Sequence, residues 1–255
     1  MKPILELKNI NYSYHTPEGE TPALSDISFS LAPGGFTAVV GPSGCGKSTL
    51  LSLIAGLMIP ESGDIRLNGK PLTENASNIG YMLQHDHLFE WRTVYRNILL
   101  GTEINRSLDA GTKKKADALL EQYGLKPFAR AKPSQLSGGM RQRAALIRTL
   151  LLDPELLLLD EPFSALDYQT RLTVSDDIGQ IIRRSGKTAL LVTHDLSEAV
   201  SLADRVIVLS KRPATVLCIV PVSFNLENDT PLNRRNAPEF KTYFNQIWKE
   251  LNHNE

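Results

Sequence analysis

Between Gly41 and Thr49 the chain reads GPSGCGKST, where Gly41, Gly46, Lys47 and Ser48 satisfy the spacing G-x-x-x-x-G-K-[ST]. Gly41, Gly44 and Gly46 lack Cβ atoms, so successive backbone N–H groups can turn toward a single anion. Lys47 adds a charge that reaches the β and γ phosphates of a nucleotide, and Ser48 a hydroxyl suited to Mg²⁺. The apolar run FTAVV before the loop predicts a buried strand, and KSTLLSLIAGL after it predicts a helix, whose N-terminus carries about half a positive charge. The whole loop, Gly41, Pro42, Ser43, Gly44, Cys45, Gly46, Lys47, Ser48 and Thr49, is therefore expected to line a nucleotide site. The Cys45 thiol is expected to face the phosphates, so that a bulky adduct on it would block them.

A second set of residues fits the same chemistry. Asp160 ends the apolar run LLLLD, which sends its carboxylate out of the C-terminal end of a buried strand, where open α/β sheets place ligands. It can hold Mg²⁺ through water, while the adjacent Glu161 can polarise an attacking water. A further apolar run closes on VTHD, bringing His194 within reach of a γ-phosphate, although a lone histidine is more often structural.

The elements needed to position these groups can be read coarsely. Residues 4–31 predict short strands around a polar, turn-rich insert, HTPEGETPAL, forming an antiparallel hairpin beside the phosphate-loop strand. From about Asp86 to Leu152 the spacing becomes helical, and ELLLLDEP and KTALLVTHD then read as parallel strands covered on both faces. The expected fold is α/β: a core with a mainly parallel sheet, an N-terminal antiparallel β subdomain and an inserted helical subdomain. With 255 residues the chain can bury a large core, and 28 basic residues against 28 acidic ones give no global field for nucleic acid or an anionic membrane. The run Lys113–Lys115 reads as a solvated helix face. Two cysteines, Cys45 and Cys218, do not make a secreted framework, and no apolar run reaches the roughly 20 residues that span a bilayer.

LSGGMRQR, at Leu136–Arg143, has no place in a generic phosphate-loop enzyme. Together with GPSGCGKST, LLLLDEP, SALD and VTHD in this order, it makes residues 4–220 resemble an ABC transporter ATP-binding subunit, a P-loop ATPase with a RecA-like core. The resemblance implies an ATPase domain over residues 1–225, with a helical subdomain at about 86–152, and a tail over 226–255. It implies that Tyr14 stacks on adenine, that Gln84 senses Mg²⁺ and the attacking water, and that Glu161 and His194 are catalytic with ATP and Mg²⁺ bound. Ser137, Gly138 and Gly139 would bind the γ-phosphate held by a second copy, and Asp167 would link the two sites of a head-to-tail dimer. The amphipathic stripe Met140, Ala144, Ile147, Leu151 predicts a helix whose free N-terminal N–H groups suit that anion.

More narrowly, LSGGMRQRAAL, EAVSLADRVIVLSKRPA and the tail resemble subunits of nitrate, sulfonate and taurine importers. Such a subunit lies peripherally on the cytoplasmic face of the membrane. It works with separate integral-membrane permease subunits, serves an extracytoplasmic solute-binding protein and takes no nucleic acid. Its permease would dock a helix against residues 87–91, where Phe89 and Trp91 are the apolar anchors. Two positions depart from the pattern: Met140 replaces the usual glutamine, and Glu90 precedes Trp91 where proline is usual. In the tail, Phe240, Tyr243, Phe244, Ile247, Trp248 and Leu251 share one helix face, most simply for packing. The competing reading is a soluble ABC ATPase acting on nucleic acid or ribosomes. The single cassette, the lack of a heptad run and the neutral charge argue against it.

Overall fold

A computed structural model describes residues 2–17, 19–75 and 78–252. Its framework is a six-stranded sheet in the order β10-β9-β3-β8-β7-β6. The strands are β3 (Phe36–Val40), β6 (Ile79–Met82), β7 (Leu156–Asp160), β8 (Thr188–Val192), β9 (Arg205–Leu209) and β10 (Val216–Pro221). All neighbours are parallel except β9 and β10. Every residue of β3, β7 and β8 is buried, as expected of strands covered on both faces.

A separate antiparallel sheet, ordered β2-β1-β4-β5, combines β1 (Leu5–Thr16), β2 (Gly19–Leu31), β4 (Ser62–Leu67) and β5 (Lys70–Pro71). The expected short strands with an insert are in fact two long ones, paired as far as Thr16 with Gly19. Residues 19–22 are all exposed, so the ribbon projects beyond the core. Burial therefore imposes no apolar alternation there, and a polar stretch of this kind reads as a loop. The two sheets share an apolar cluster, and among the described residues one isolated bridge, Leu24–Ala214, links β2 to the segment between β9 and β10.

Helix α1 (Lys47–Ile54) follows the phosphate loop, and the short α2 (Leu72–Asn75) follows β5. Between β6 and β7 lie α3 (Val94–Ile104), α4 (Ala110–Gln122) and α5 (Gly138–Leu151), with 3-10 turns at Lys126–Phe128 and Pro133–Gln135. α6 (Tyr168–Ser185) and α7 (Leu196–Leu202) flank β8, and α8 (Pro231–Asn236) and α9 (Pro238–Asn252) end the described chain. Side-chain oxygens cap α3, α4, α5, α6 and α7: Thr93, Asp109, Ser137, Asp167 and Asp195 each accept from a backbone N–H in the first turn. Gly186 ends α6 at φ 67°, the left-handed conformation glycine adopts most readily. Lys113–Lys115 are exposed on α4. Ile247 of α9 is fully buried, with Phe240, Tyr243, Phe244 and Leu251 packed on the core, whereas Trp248 is 55% exposed. No helix among the described residues is long and apolar enough to cross a membrane.

Candidate active site

The loop from β3 to α1 is built around its lysine. Lys47 is buried, and its Nζ donates to the carbonyls of Gly41 (2.8 Å) and Pro42 (2.9 Å). An ammonium has three donors, which leaves one for an incoming anion. Gly46 takes φ 123°, and a Cβ there would lie 2.8 Å from Leu24 Cδ2 and 3.1 Å from the Ala23 carbonyl oxygen. Ser43, Gly44, Gly46, Lys47, Ser48, Thr49 and Glu161 line one open cleft. Cys45 does not face it. Its side chain is buried among the apolar residues under the loop, and Sγ comes within 2.9 Å of where a Gly41 Cβ would stand. Burial pushes the thiol pKa up, against the pull of Lys47. The expectation of a phosphate-facing thiol is therefore corrected: Cys45 packs into the apolar cluster under the loop, while Ser43, Gly44 and Gly46 on either side of it line the cleft.

Opposite Lys47, the end of β7 delivers the carboxylates. Asp160 is buried; its Oδ1 accepts from Ser48 Oγ and its Oδ2 from Tyr81 Oη, each at 3.2 Å. Burial raises the Asp160 pKa against those two hydrogen bonds; Glu161 raises it further and Lys47 lowers it. A half-desolvated carboxylate beside a serine hydroxyl is an all-oxygen donor set, the kind a hard divalent cation takes, and a cation would favour its ionised form. The residues present therefore fit Mg²⁺.

Glu161 itself has φ 44°, in the left-handed region where a non-glycine residue is uncommon. It is held there by its N–H on the Val192 carbonyl (2.9 Å) and by Ser164, whose N–H and Oγ both donate to the Glu161 carbonyl. The turn aims the Glu161 side chain at two partners. His194 Nδ1 lies 3.0 Å from Oε2, and Gln84 Nε2 lies 3.5 Å from the same oxygen while donating to Ser164 Oγ at 3.2 Å. Three strand ends, those of β6, β7 and β8, thus bring Gln84, Glu161 and His194 together.

Tyr14, on β1, is 39% exposed, and its Oη lies 2.8 Å from Thr49 Oγ1, so the ring stands at the edge of the cleft. Ser137, Gly138 and Gly139 form the start of α5, with Ser137 and Gly138 exposed. Asp167 caps α6 by accepting from Thr170 N at 3.1 Å. No hydrogen bond or ion pair among the described residues joins Ser137, Gly138, Gly139 or Asp167 to the phosphate loop. Met140 packs partly on the core, and Glu90 makes an ion pair with Arg141 at 3.1 Å, so both departures from the family pattern have a place. Arg141 also grips Asp86 (2.8 Å), and Arg148 donates to the carbonyls of Asp86 and His87, which ties the segment after Gln84 to α5.

Sequence reasoning missed Tyr81 and Ser164, which orient Asp160 and Gln84, and it missed the Asp86–Arg141 pair. Tyr81 meets Asp160 only because β6 aligns with β7 in parallel register, and that register is tertiary information.

The ABC transporter family matches residues 24–164 of this chain. An ABC transporter ATP-binding protein of Bacillus subtilis, YtlC, is 44% identical over 248 residues, covering 97% of this chain and 95% of that protein. The nitrate import ATP-binding protein NrtD of Synechocystis is 39% identical over 247 residues, covering 95% and 93%. Among solved structures, a dimeric ATP-binding cassette in a post-hydrolysis state, bound to ADP and Pi, aligns with a TM-score of 0.73 at 29% identity, over 87% of this chain and 100% of that one. The order of the motifs, the fold that carries them and these likenesses agree, and the chain belongs to the ABC transporter family as an ATP-binding, ATP-hydrolysing subunit.

Proposed function

We propose that this subunit powers a membrane importer for a small solute of the nitrate, sulfonate or taurine kind, working as a head-to-tail pair with a second copy of itself. The observation that carries the reading is the division of the site. Lys47, Ser48, Asp160, Glu161, His194 and Gln84 converge on one cleft, while Ser137 and Gly138 at the start of α5 stand exposed, with no bond among the described residues to the phosphate loop of their own chain. A second copy would bring its Ser137–Gly139 over the first copy's cleft, and Asp167 would lie between the two sites.

Within that pair the loop N–H groups and Lys47 bind the phosphates, and Tyr14 stacks on adenine. Ser48 and Asp160 would hold Mg²⁺, which when bound neutralises charge on the phosphate oxygens. Glu161 accepts a proton from the attacking water, whose oxygen bonds to the γ-phosphorus as the bond to the bridging oxygen breaks and ADP leaves. His194 orients the Glu161 carboxylate and reaches toward the γ-phosphate, and Gln84 places the water.

Residues 1–225 form the ATPase unit in this reading, 86–152 its moving helical part and 226–255 the tail. Solute passes through separate permease subunits, the protein sits peripherally on the cytoplasmic face of the membrane, and its link to a solute-binding protein is indirect. Phe89 and Trp91 are 37% and 72% exposed and stacked on each other at 4.6 Å, an apolar pair suited to anchoring a permease helix. Phe89→Ala should leave ATP binding by the isolated subunit unchanged, reduce its recovery with the permease from detergent extracts and abolish solute uptake. Normal uptake by that variant would remove the docking assignment.

A further inference from the structure

The two oxygens of the Asp160 carboxylate are used differently. Oδ1 accepts from the hydroxyl of Ser48, a residue that lines the cleft, and Oδ2 accepts from Tyr81 Oη. Tyr81 belongs to the edge strand β6 and packs its ring against the apolar cluster beneath the phosphate loop. Parallel register places it beside Leu158, and Asp160, two residues further along β7, projects from the same face as Leu158. The phenol has the length to cross that step, so its hydroxyl meets a carboxylate that a phenylalanine here would leave without this donor.

A hydroxyl is an uncharged donor. It holds one carboxylate oxygen and restrains rotation of the group without cancelling its negative charge, whereas a lysine or arginine in the same place would compete with a cation for that charge. With Oδ2 engaged, Asp160 offers a cation Oδ1 alone, next to the Ser48 hydroxyl. Divalent cations differ in how well that suits them. Mg²⁺ demands near-ideal octahedral geometry and keeps several waters, which fits a carboxylate presenting one oxygen; Ca²⁺ is larger, tolerates irregular geometry and readily takes both oxygens of one carboxylate.

We propose that Tyr81 is a positioning residue that sets the cation preference of this site: by holding Oδ2 of Asp160 it restricts the carboxylate to one oxygen and so favours Mg²⁺ over Ca²⁺. The inference rests on the assignment of Mg²⁺ to Ser48 and Asp160 above. Tyr81 acts through Asp160 rather than on the nucleotide. Packing alone gives no reason for a hydroxyl here, since a phenyl ring would fill the same space against the apolar cluster.

The test is calorimetric binding of a non-hydrolysable ATP analogue to the full-length protein, with magnesium chloride or calcium chloride titrated in turn. Wild-type protein should reach half of the cation-dependent gain in affinity at a lower concentration of Mg²⁺ than of Ca²⁺. Tyr81→Phe should raise that concentration about tenfold for Mg²⁺ and less than about twofold for Ca²⁺, with cation-free binding unchanged. A merely structural role would move both cations together. No wild-type preference for Mg²⁺, equal shifts for the two cations, no shift for Mg²⁺, or weaker cation-free binding would each overturn the proposal. Tyr81→Met, a different shape that also lacks the hydroxyl, should repeat the result and takes the place of Tyr81→Phe if that variant does not fold; a wild-type preference in Tyr81→Met overturns the proposal. Ser48→Ala, measured alongside, separates the two readings: an intact Mg²⁺ dependence there defeats the site assignment, whereas a lost Mg²⁺ dependence there beside an unchanged preference in Tyr81→Phe defeats only this inference.

Discussion

The phosphate loop and the start of α5 both combine glycine with a helix N-terminus and are, in the function proposed above, the two halves of one anion site, yet they are finished to different degrees. The first has a buried lysine bonded to its own carbonyls, a serine on a buried aspartate and a glutamate braced by histidine. At the second, Ser137 uses its side chain to cap the helix, and the charged residues lining the same hollow, Arg143 and Asp177, are paired with each other at 3.8 Å. The difference teaches how, in the proposed pair, one half of a site can be preorganised within a chain while the other is a surface that association would complete.

Glu161→Gln probes the finished half and should have the largest effect: a loss of hydrolysis on the order of a hundredfold or more, with an ATP-bound dimer accumulating on size exclusion. A variant that turns over normally or stays monomeric with ATP would break the contrast. Mixing sharpens it. Lys47→Ala and Gly138→Asp should each be nearly inactive alone, the first because it loses phosphate binding and the second because it sets a negative charge against the γ-phosphate. Combined, they should regain part of the wild-type rate, because a mixed pair contains one site with both halves intact. No recovery on mixing would mean that the two halves belong to one chain.

Much of the finished half was legible in the sequence because its motifs carry their own backbone: GPSGCGKST specifies a turn, and LLLLDEP specifies a strand end. The side-chain direction of Cys45 was not legible, since it depends on a buried apolar cluster that includes Leu24 and Leu209, far off in the chain. Nor was the strained φ of Glu161, which the Val192 carbonyl and Ser164 impose. The contact of Arg235 in α8 with Ser175 in α6 joins residues 60 apart in sequence, and no local pattern announces it.

Two smaller effects follow from burial. Cys45 should react with maleimide at least about tenfold more slowly than a free thiol, with and without Mg-ATP, and react fully only after denaturation. Fast labelling of the native protein would restore the phosphate-facing thiol. For Glu198, the folded pKa of about 7 lies above the ordinary carboxylate value of 4.5, so the folded state holds its proton more tightly. Stability from this group is present below pH 4.5 and lost as pH rises through about 7. Glu198→Gln should therefore melt a few degrees higher than the wild type at pH 8, with the gap closing toward pH 5. A gap that does not change with pH would show that Glu198 does not titrate there.

The chain has only two tryptophans, Trp91 and Trp248, and they are 72% and 55% exposed. Neither lies in the core, so intrinsic fluorescence of this protein reports on surfaces: an indole already in water changes little when the chain unfolds and strongly when something covers it. With Trp248→Phe, emission from Trp91 alone becomes an optical readout of whatever settles on the segment after Gln84.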